Sequence, residues 1–283
     1  MNKVIILTDS SADIDKDLMK LYDIHSIPFI IRIGDEFLRD GMDIFPEELE
    51  IKSFENQAYP KTQAITTADF MYYFDRYVKQ GYDVVYIGIG SHLSSSIGAA
   101  KLAQLEFPEG RIFIVDSRSI SSGVAILAIK AKELRDQGIS AEEIAEEVNE
   151  LVPYVRHSFV VSSLKTLYLN NRISKSQKQI GTLLRYKLIV STVSGKLVVL
   201  KKVRGRVRKA LIWMVNEMML SQGSIDLKYI MVNHSLAHQQ ASFMMKIIEQ
   251  AIHPDQIIES NAGCVISIHS GLGTIGLTYI VKV

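Results

Sequence analysis

Four serines, Ser91, Ser94, Ser95 and Ser96, fall within six positions between an apolar run at Val84–Ile89 and a helical pattern that follows. Hydroxyls there can cap the helix, but capping uses only one or two of them. The rest could bind a ligand, because loops at the carboxyl ends of parallel strands are where open α/β sheets do so. A second concentration of chemistry is cationic. Lys201, Lys202, Arg204, Arg206, Arg208 and Lys209 put six positive charges where a strand gives way to a helix near Val207. Cations at a helix N-terminus oppose the macrodipole, so the run does little for folding. It reads either as a solvated basic turn or as a docking patch for an anion.

Other constellations reduce to plainer readings. His234-Ser235-Leu236-Ala237-His238 has the spacing of a zinc-protease pair, but a serine stands where the general-base glutamate belongs and the sequence indicates no third ligand. A structural pair at a strand-to-helix junction is expected, and no metal. Gly271-Leu272-Gly273-Thr274-Ile275-Gly276 fits G-x-G-x-x-G, yet the seven residues after it read as a strand and leave no room for the helix and distant acid of a dinucleotide fold. Its glycines are expected to permit close backbone approach. Asp9-Ser10-Ser11 follows the first apolar run and is expected to cap the next turn, with ligand binding as the second choice. Neither a phosphate loop nor a Gly-x-Ser-x-Gly elbow occurs, and no cofactor is expected.

The chain of 283 residues is 47% hydrophobic and 22% charged, enough for two packed cores. Its 32 Lys and Arg against 31 Asp and Glu give a net charge of +1, so no global field draws nucleic acid. Cys264 is the single cysteine, which excludes an internal disulfide. Val4–Leu7 meets Asp9 too soon for a secretory core, and no apolar run reaches the roughly 20 residues of a membrane span. A cytoplasmic protein is expected.

The elements that must position these groups alternate. Apolar runs at Val4–Leu7, Ile27–Ile33, Val84–Ile89 and Ile112–Val115 are separated by helical patterns at Asp15–Leu21, Thr66–Val78, Ser94–Leu105 and Ser122–Leu134. That order implies a parallel sheet covered on both faces. The stretch Gly123–Ile129 is apolar all round and must be a central, buried helix. Ser140 and Glu143 form a capping box for a helix ending at Leu151-Val152-Pro153. A boundary there gives residues 1–152 as a parallel-sheet α/β domain and 153–283 as a mixed-sheet α/β domain. The second half carries strand patterns at Phe159–Ser162, Leu188–Thr192, Leu197–Lys201, Tyr229–Val232, Val265–Ile268 and Leu277–Val281, with Ser194-Gly195 as a hairpin turn.

Taken in order, Thr8-Asp9-Ser10-Ser11-Ala12-Asp13, Pro60-Lys61-Thr62, Leu93-Ser94, Val115-Asp116-Ser117 with Gly123, Lys202-Val203-Arg204-Gly205 and His269-Ser270-Gly271-Leu272-Gly273 resemble the DegV family. Members of that family resemble the fatty-acid-binding subunit of bacterial fatty-acid kinase. The likeness spans nearly the whole chain. It implies two α/β domains with a long acyl chain between them, held by hydroxyls and a histidine and presented to a kinase that supplies ATP and metal.

By the same resemblance Thr62, Ser94 and Ser95 would contact the carboxylate with His269 beside them, while Arg172, Lys202 and Arg204 would serve the head group or partner docking. The implied partners are a long-chain fatty acid and a fatty-acid kinase catalytic subunit, with room for transient contact with a membrane surface. The chain itself would not be an enzyme. The alternatives are a lipid carrier or regulator without a kinase, and an acyl hydrolase with Ser94 as nucleophile and His269 as base. The sequence departs from the family pattern at Gln63-Ala64-Ile65, where Ser-Gln-Pro is usual, at Ser95-Ser96, at Asn170-Asn171 and at Leu272. Ile65 in place of a proline is expected to reshape the cavity wall beyond Thr62.

Overall fold

The computed structural model describes residues 3–161, 167 and 186–282. The first half runs through β1 (Val4–Asp9), α1 (Lys16–Tyr22), β2 (Ile24–Ile27), β3 (Ile30–Ile33), β4 (Glu36–Arg39), α2 (Leu49–Glu55) and β5 (Lys61–Gln63). It continues with α3 (Thr67–Val78), β6 (Asp83–Gly88), α4 (Ser96–Gln104), β7 (Ile112–Asp116), α5 (Ser122–Asp136) and α6 (Ala141–Leu151). Four strands form a parallel sheet in the order β2-β1-β6-β7. The apolar run Ile27–Ile33, read as one strand, is two. Pro28 carries no amide for a ladder, so the chain leaves the parallel sheet after β2 and enters a separate antiparallel flap, β4-β3-β5. Two strands of that flap, β4 and β5, are too short and too polar to show in the sequence.

The second half contains β8 (Val155–Val161), β9 (Tyr186–Val193), β10 (Lys196–Arg204), α7 (Val207–Met219), β11 (Tyr229–His234), α8 (His238–Ala251), β12 (Gln256–Asn261), α9 (Cys264–Ser270) and β13 (Ile275–Ile280). Its six-stranded sheet has the order β10-β9-β8-β13-β11-β12, antiparallel except for β11 with β12. The fold is therefore α/β, with one parallel and one mixed sheet. Ser194 and Gly195 both take positive φ at the β9–β10 hairpin, as a two-residue turn requires. The Ser140–Glu143 capping box is formed in both directions.

Val265–Ile268, read as a strand, lies within helix α9. Four apolar residues do not distinguish strand from helix; here buried carboxylates from the first half occupy the helix N-terminus, and Gly271 at φ 86° ends it.

Helix α5 is buried along nine of its residues and packs against β1 and β6 on one side and β8, β11 and β13 on the other. Where it lies between the two sheets the helix has no solvent face, which is why Gly123–Ile129 is apolar all round. It anchors a core that joins Ile6 and Val85 of the parallel sheet to Met231 and Ile280 of the mixed one. A second core joins the flap (Ile31, Ile33), α3 (Phe70, Phe74), the mixed sheet (Phe159, Val190) and α9 (Val265, Ile268). The candidate site opens inside this second core. A third lies between the far face of the mixed sheet and helices α7 and α8. Among the described residues no helix is long and apolar enough to cross a membrane.

Candidate functional site

Thr62 stands opposite Ile31 in the flap register, and Ile31 is fully buried. Side chains alternate along a strand, so Thr62 turns inward while exposed Lys61 and Gln63 turn out. Helix α9 brings His269 to the same spot in its last turn. Thr62 Oγ1 and His269 Nε2 share a hydrogen bond of 2.9 Å. The Tyr59 hydroxyl donates to the Ile268 carbonyl at 3.3 Å and ties the start of the flap strand to that turn. Thr62 thus belongs to a strand and His269 to a helix.

Ser94 and Ser95 sit at the N-terminus of α4. Ser94 Oγ accepts the Ser96 amide at 3.2 Å and shares a hydrogen bond of 2.9 Å with Ser96 Oγ, so Ser94 is the capping hydroxyl. Ser95 is exposed and makes no capping bond. Thr62, Ser94, Ser95 and His269 line one cavity of about 270 Å³. The rest of its wall is apolar apart from Ser270 and comes from both halves, including Phe29, Leu93, Phe159, Leu197 and Val265. The arrangement is a pocket lined by hydroxyls, an imidazole and a helix N-terminus, with hydrocarbon over the rest of its wall. Such a shape suits an amphipathic anion. Ser94 bonds to Ser96 and not to His269, so the serine–histidine couple that a hydrolase needs is not formed.

The motif Thr8–Asp13 acts at a distance. Asp13 Oδ1 accepts the Gly263 amide and Asp40 Oδ1 the Cys264 amide, each at 2.8 Å, with the Val265 amide at 3.4 Å from Asp40 Oδ2. The two carboxylates thereby satisfy the open N-terminus of α9. Burial pushes the Asp13 carboxyl well above the usual carboxylate range and raises Asp40, against the hydrogen bonds that lower them. Ser121 donates to Asp13 and Ser10 to Asp40. Asp9 caps its own turn by accepting the Ser11 amide, as its position predicts, and also accepts from the Tyr86 hydroxyl and the Ile89 amide. Asp40 carries no sequence signal for this role. Its partners lie 224 and 225 residues away.

Ile65 does not reach the cavity. It is 3% exposed and packs in the core, while Ala64 lines the wall. Lys202 and Arg204 lie on β10, at the outer edge of the mixed sheet, exposed and away from the cavity. Among the described residues no acid pairs with any of the six cations from Lys201 to Lys209. Arg172 lies outside the described residues, as do Asn170 and Asn171.

His234 and His238 do meet a third donor, Glu259 on β12, which their spacing could not reveal. His234 Nδ1 accepts the Ala237 amide at 3.2 Å, which places the ring proton on Nε2, 3.0 Å from Glu259 Oε1. A metal-binding imidazole donates from its second nitrogen instead, so the geometry is that of a His–Glu hydrogen bond at the β11–α8 junction. In the glycine stretch, Gly271 and Gly273 take positive φ, and a side chain at Gly276 would strike buried Asn233.

Comparison with known proteins places this architecture among relatives of full length. Residues 3–282 match a family described as "Uncharacterised protein, DegV family". A DegV domain-containing protein of Caldanaerobacter subterraneus subsp. tengcongensis is 33% identical over 283 residues, covering 99% of each chain. The structure of a DegV family protein from Thermus thermophilus, described for its fatty acid binding, superposes with a TM-score of 0.88 at 26% identity, over 99% of this chain and 100% of its own. A DegV lipid binding protein from Thermotoga maritima gives 0.85 at 27% identity, over 99% and 98%.

Proposed function

The chain belongs to the DegV family, and from that premise we propose that it holds a long-chain fatty acid in the Thr62–His269 cavity and presents the carboxylate to a partner kinase. The observation that carries the reading is the Thr62–His269 hydrogen bond in the polar part of an otherwise apolar cavity wall. A fatty acid has two requirements. Its tail must leave water, and at about 0.8 kcal/mol per methylene a chain of roughly fifteen gains on the order of 10 kcal/mol before ordering costs. Its carboxylate cannot be buried alone, since an unpaired charge costs several kcal/mol. With His269 Nε2 donating to Thr62 Oγ1, the Thr62 and Ser94 hydroxyls can each turn a hydrogen toward it, and the amides opening α4 add the positive end of a helix. The related proteins from Thermus and Thermotoga, described as binding fatty acid or lipid, support the same ligand class.

In the kinase step a carboxylate oxygen attacks the terminal phosphorus of ATP held by the partner, forming an acyl phosphate and releasing ADP. Hydroxyl donors tolerate that change of head group better than a fixed ion pair would. The exposed cations Lys202 and Arg204, with Arg172, would dock the partner or meet the phosphate charge. Native mass spectrometry of the purified protein tests the ligand class: a retained mass equal to a long-chain fatty acid is expected. Absence of any acyl mass, together with no uptake on incubation with palmitate, would remove the reading.

A further inference from the structure

A second cavity of about 570 Å³ lies on the other side of the mixed sheet, between it and α7. The register pairs Tyr279 with Arg156, Leu277 with Ser158, and Ser158 with Ser191. These side chains therefore share the face that farther along carries Val160, Ile189 and Leu277 in the third core. Sheet-to-helix seams are apolar because an unsatisfied polar group there is costly. This one turns polar at its Val155 end. Tyr279 is only 9% exposed, lines the cavity, and its hydroxyl makes no hydrogen bond among the described residues. The Ser158 hydroxyl makes none either, whereas Ser191 is spent on the His157 carbonyl at 2.7 Å.

Charge around the cavity is one-sided. Arg156 donates to the Pro153 carbonyl at 2.8 Å, and Arg118 borders the cavity from the loop after β7, where its backbone amide donates to Asp116; among the described residues neither guanidinium forms an ion pair. Lys201 lies 5.8 Å above the Trp213 ring, which forms part of the wall. Glu217 is the single acid among the described lining residues. A volume in the range of small-molecule sites, two guanidinium groups outside any ion pair against one acid, unspent hydroxyls and an indole face describe a site for a planar anion.

We propose that this cavity binds a small phosphorylated molecule with a planar ring system, its phosphate on Arg118 and Arg156 with the Tyr279 hydroxyl, and its ring against Trp213. The site is separate from the Thr62–His269 cavity and does not depend on what that cavity holds.

Trp213 is the only tryptophan in the chain, so its emission reports on this cavity. Titration with naphthyl phosphate is expected to change that emission saturably. Naphthol, which lacks the phosphate, should bind about tenfold more weakly or worse, and Arg156→Gln should weaken naphthyl phosphate by about tenfold, the loss of one charge-assisted contact. His269→Ala should leave the titration as in wild type. Absence of a saturable change, equal response to naphthol, or a loss in His269→Ala with none in Arg156→Gln would overturn the proposal.

Discussion

Removing the Thr62 hydroxyl takes away half of the couple with His269 while leaving the hydrocarbon wall intact. Palmitate affinity of Thr62→Ala, read by calorimetry, should fall by about 1–3 kcal/mol, the cost of one lost partner for a buried charged group, and an unchanged affinity would place the carboxylate elsewhere. Ala64 makes the converse prediction. Because it and not Ile65 lines the cavity, Ala64→Leu should shift preference between saturated and cis-unsaturated acids of one length, and Ile65→Val should not. A third residue governs pH response. Burial pushes the His157 imidazole down to about 4, so it stays neutral in the fold while the unfolded chain protonates near pH 6.5. Its contribution is thus complete above pH 6.5 and falls as pH drops to about 4, by roughly 3 kcal/mol. Denaturant midpoints of wild type and His157→Asn should converge over that interval. At this scale the sequence was only partly legible. The serine cluster stood out by itself, but Thr62 and His269 emerged only through resemblance, since a lone threonine and a lone histidine carry no local signature. The capping role of Asp13, and Asp40 altogether, were silent because their partners are 250 and 224 residues away.

Helix α9 is the element on which the site depends. It holds His269 at one end and is gripped at the other by two carboxylates from the first half. Asp40→Ala leaves the Cys264 and Val265 amides without their acceptor. The expected loss is about 1–3 kcal/mol of stability, with a weaker palmitate affinity than Thr62→Ala alone would explain if the last turn of α9 shifts. Wild-type affinity in a destabilised Asp40→Ala would show that the helix is positioned by its packing and not by its cap. The same helix explains a misreading. Val265–Ile268 is apolar enough for either element, and what makes it helical is a pair of acids more than 200 residues upstream. By contrast α5 was legible in full, because burial between two sheets writes itself into every residue from Gly123 to Ile129. The capping box of α6 and the Ser194-Gly195 turn were legible for a related reason: all their determinants are local.

In the whole molecule, the parallel and mixed sheets share α5, and the cavity draws its wall from both halves of the chain. The near-neutral net charge conceals an edge, β10, the turn after it and the first turn of α7, where the six cations from Lys201 to Lys209 have no acidic partner among the described residues. Lysines on an edge strand also discourage sheet-to-sheet pairing, so docking and edge protection must be separated by experiment. Arg204→Ala should keep palmitate affinity within twofold of wild type, about the error of one surface charge, and slow acyl-phosphate formation by a cognate kinase. Equal loss of both would make Arg204 a pocket residue. The central claim, that a fatty acid lies with its carboxylate at Thr62 and His269, is tested most directly by a crystal structure of the protein equilibrated with palmitate. The carboxylate is predicted within hydrogen-bonding distance of Thr62 Oγ1, with the chain running past Phe29 and Val265. Palmitate bound in the Trp213 cavity, or turned so that its methyl end meets His269, would contradict it.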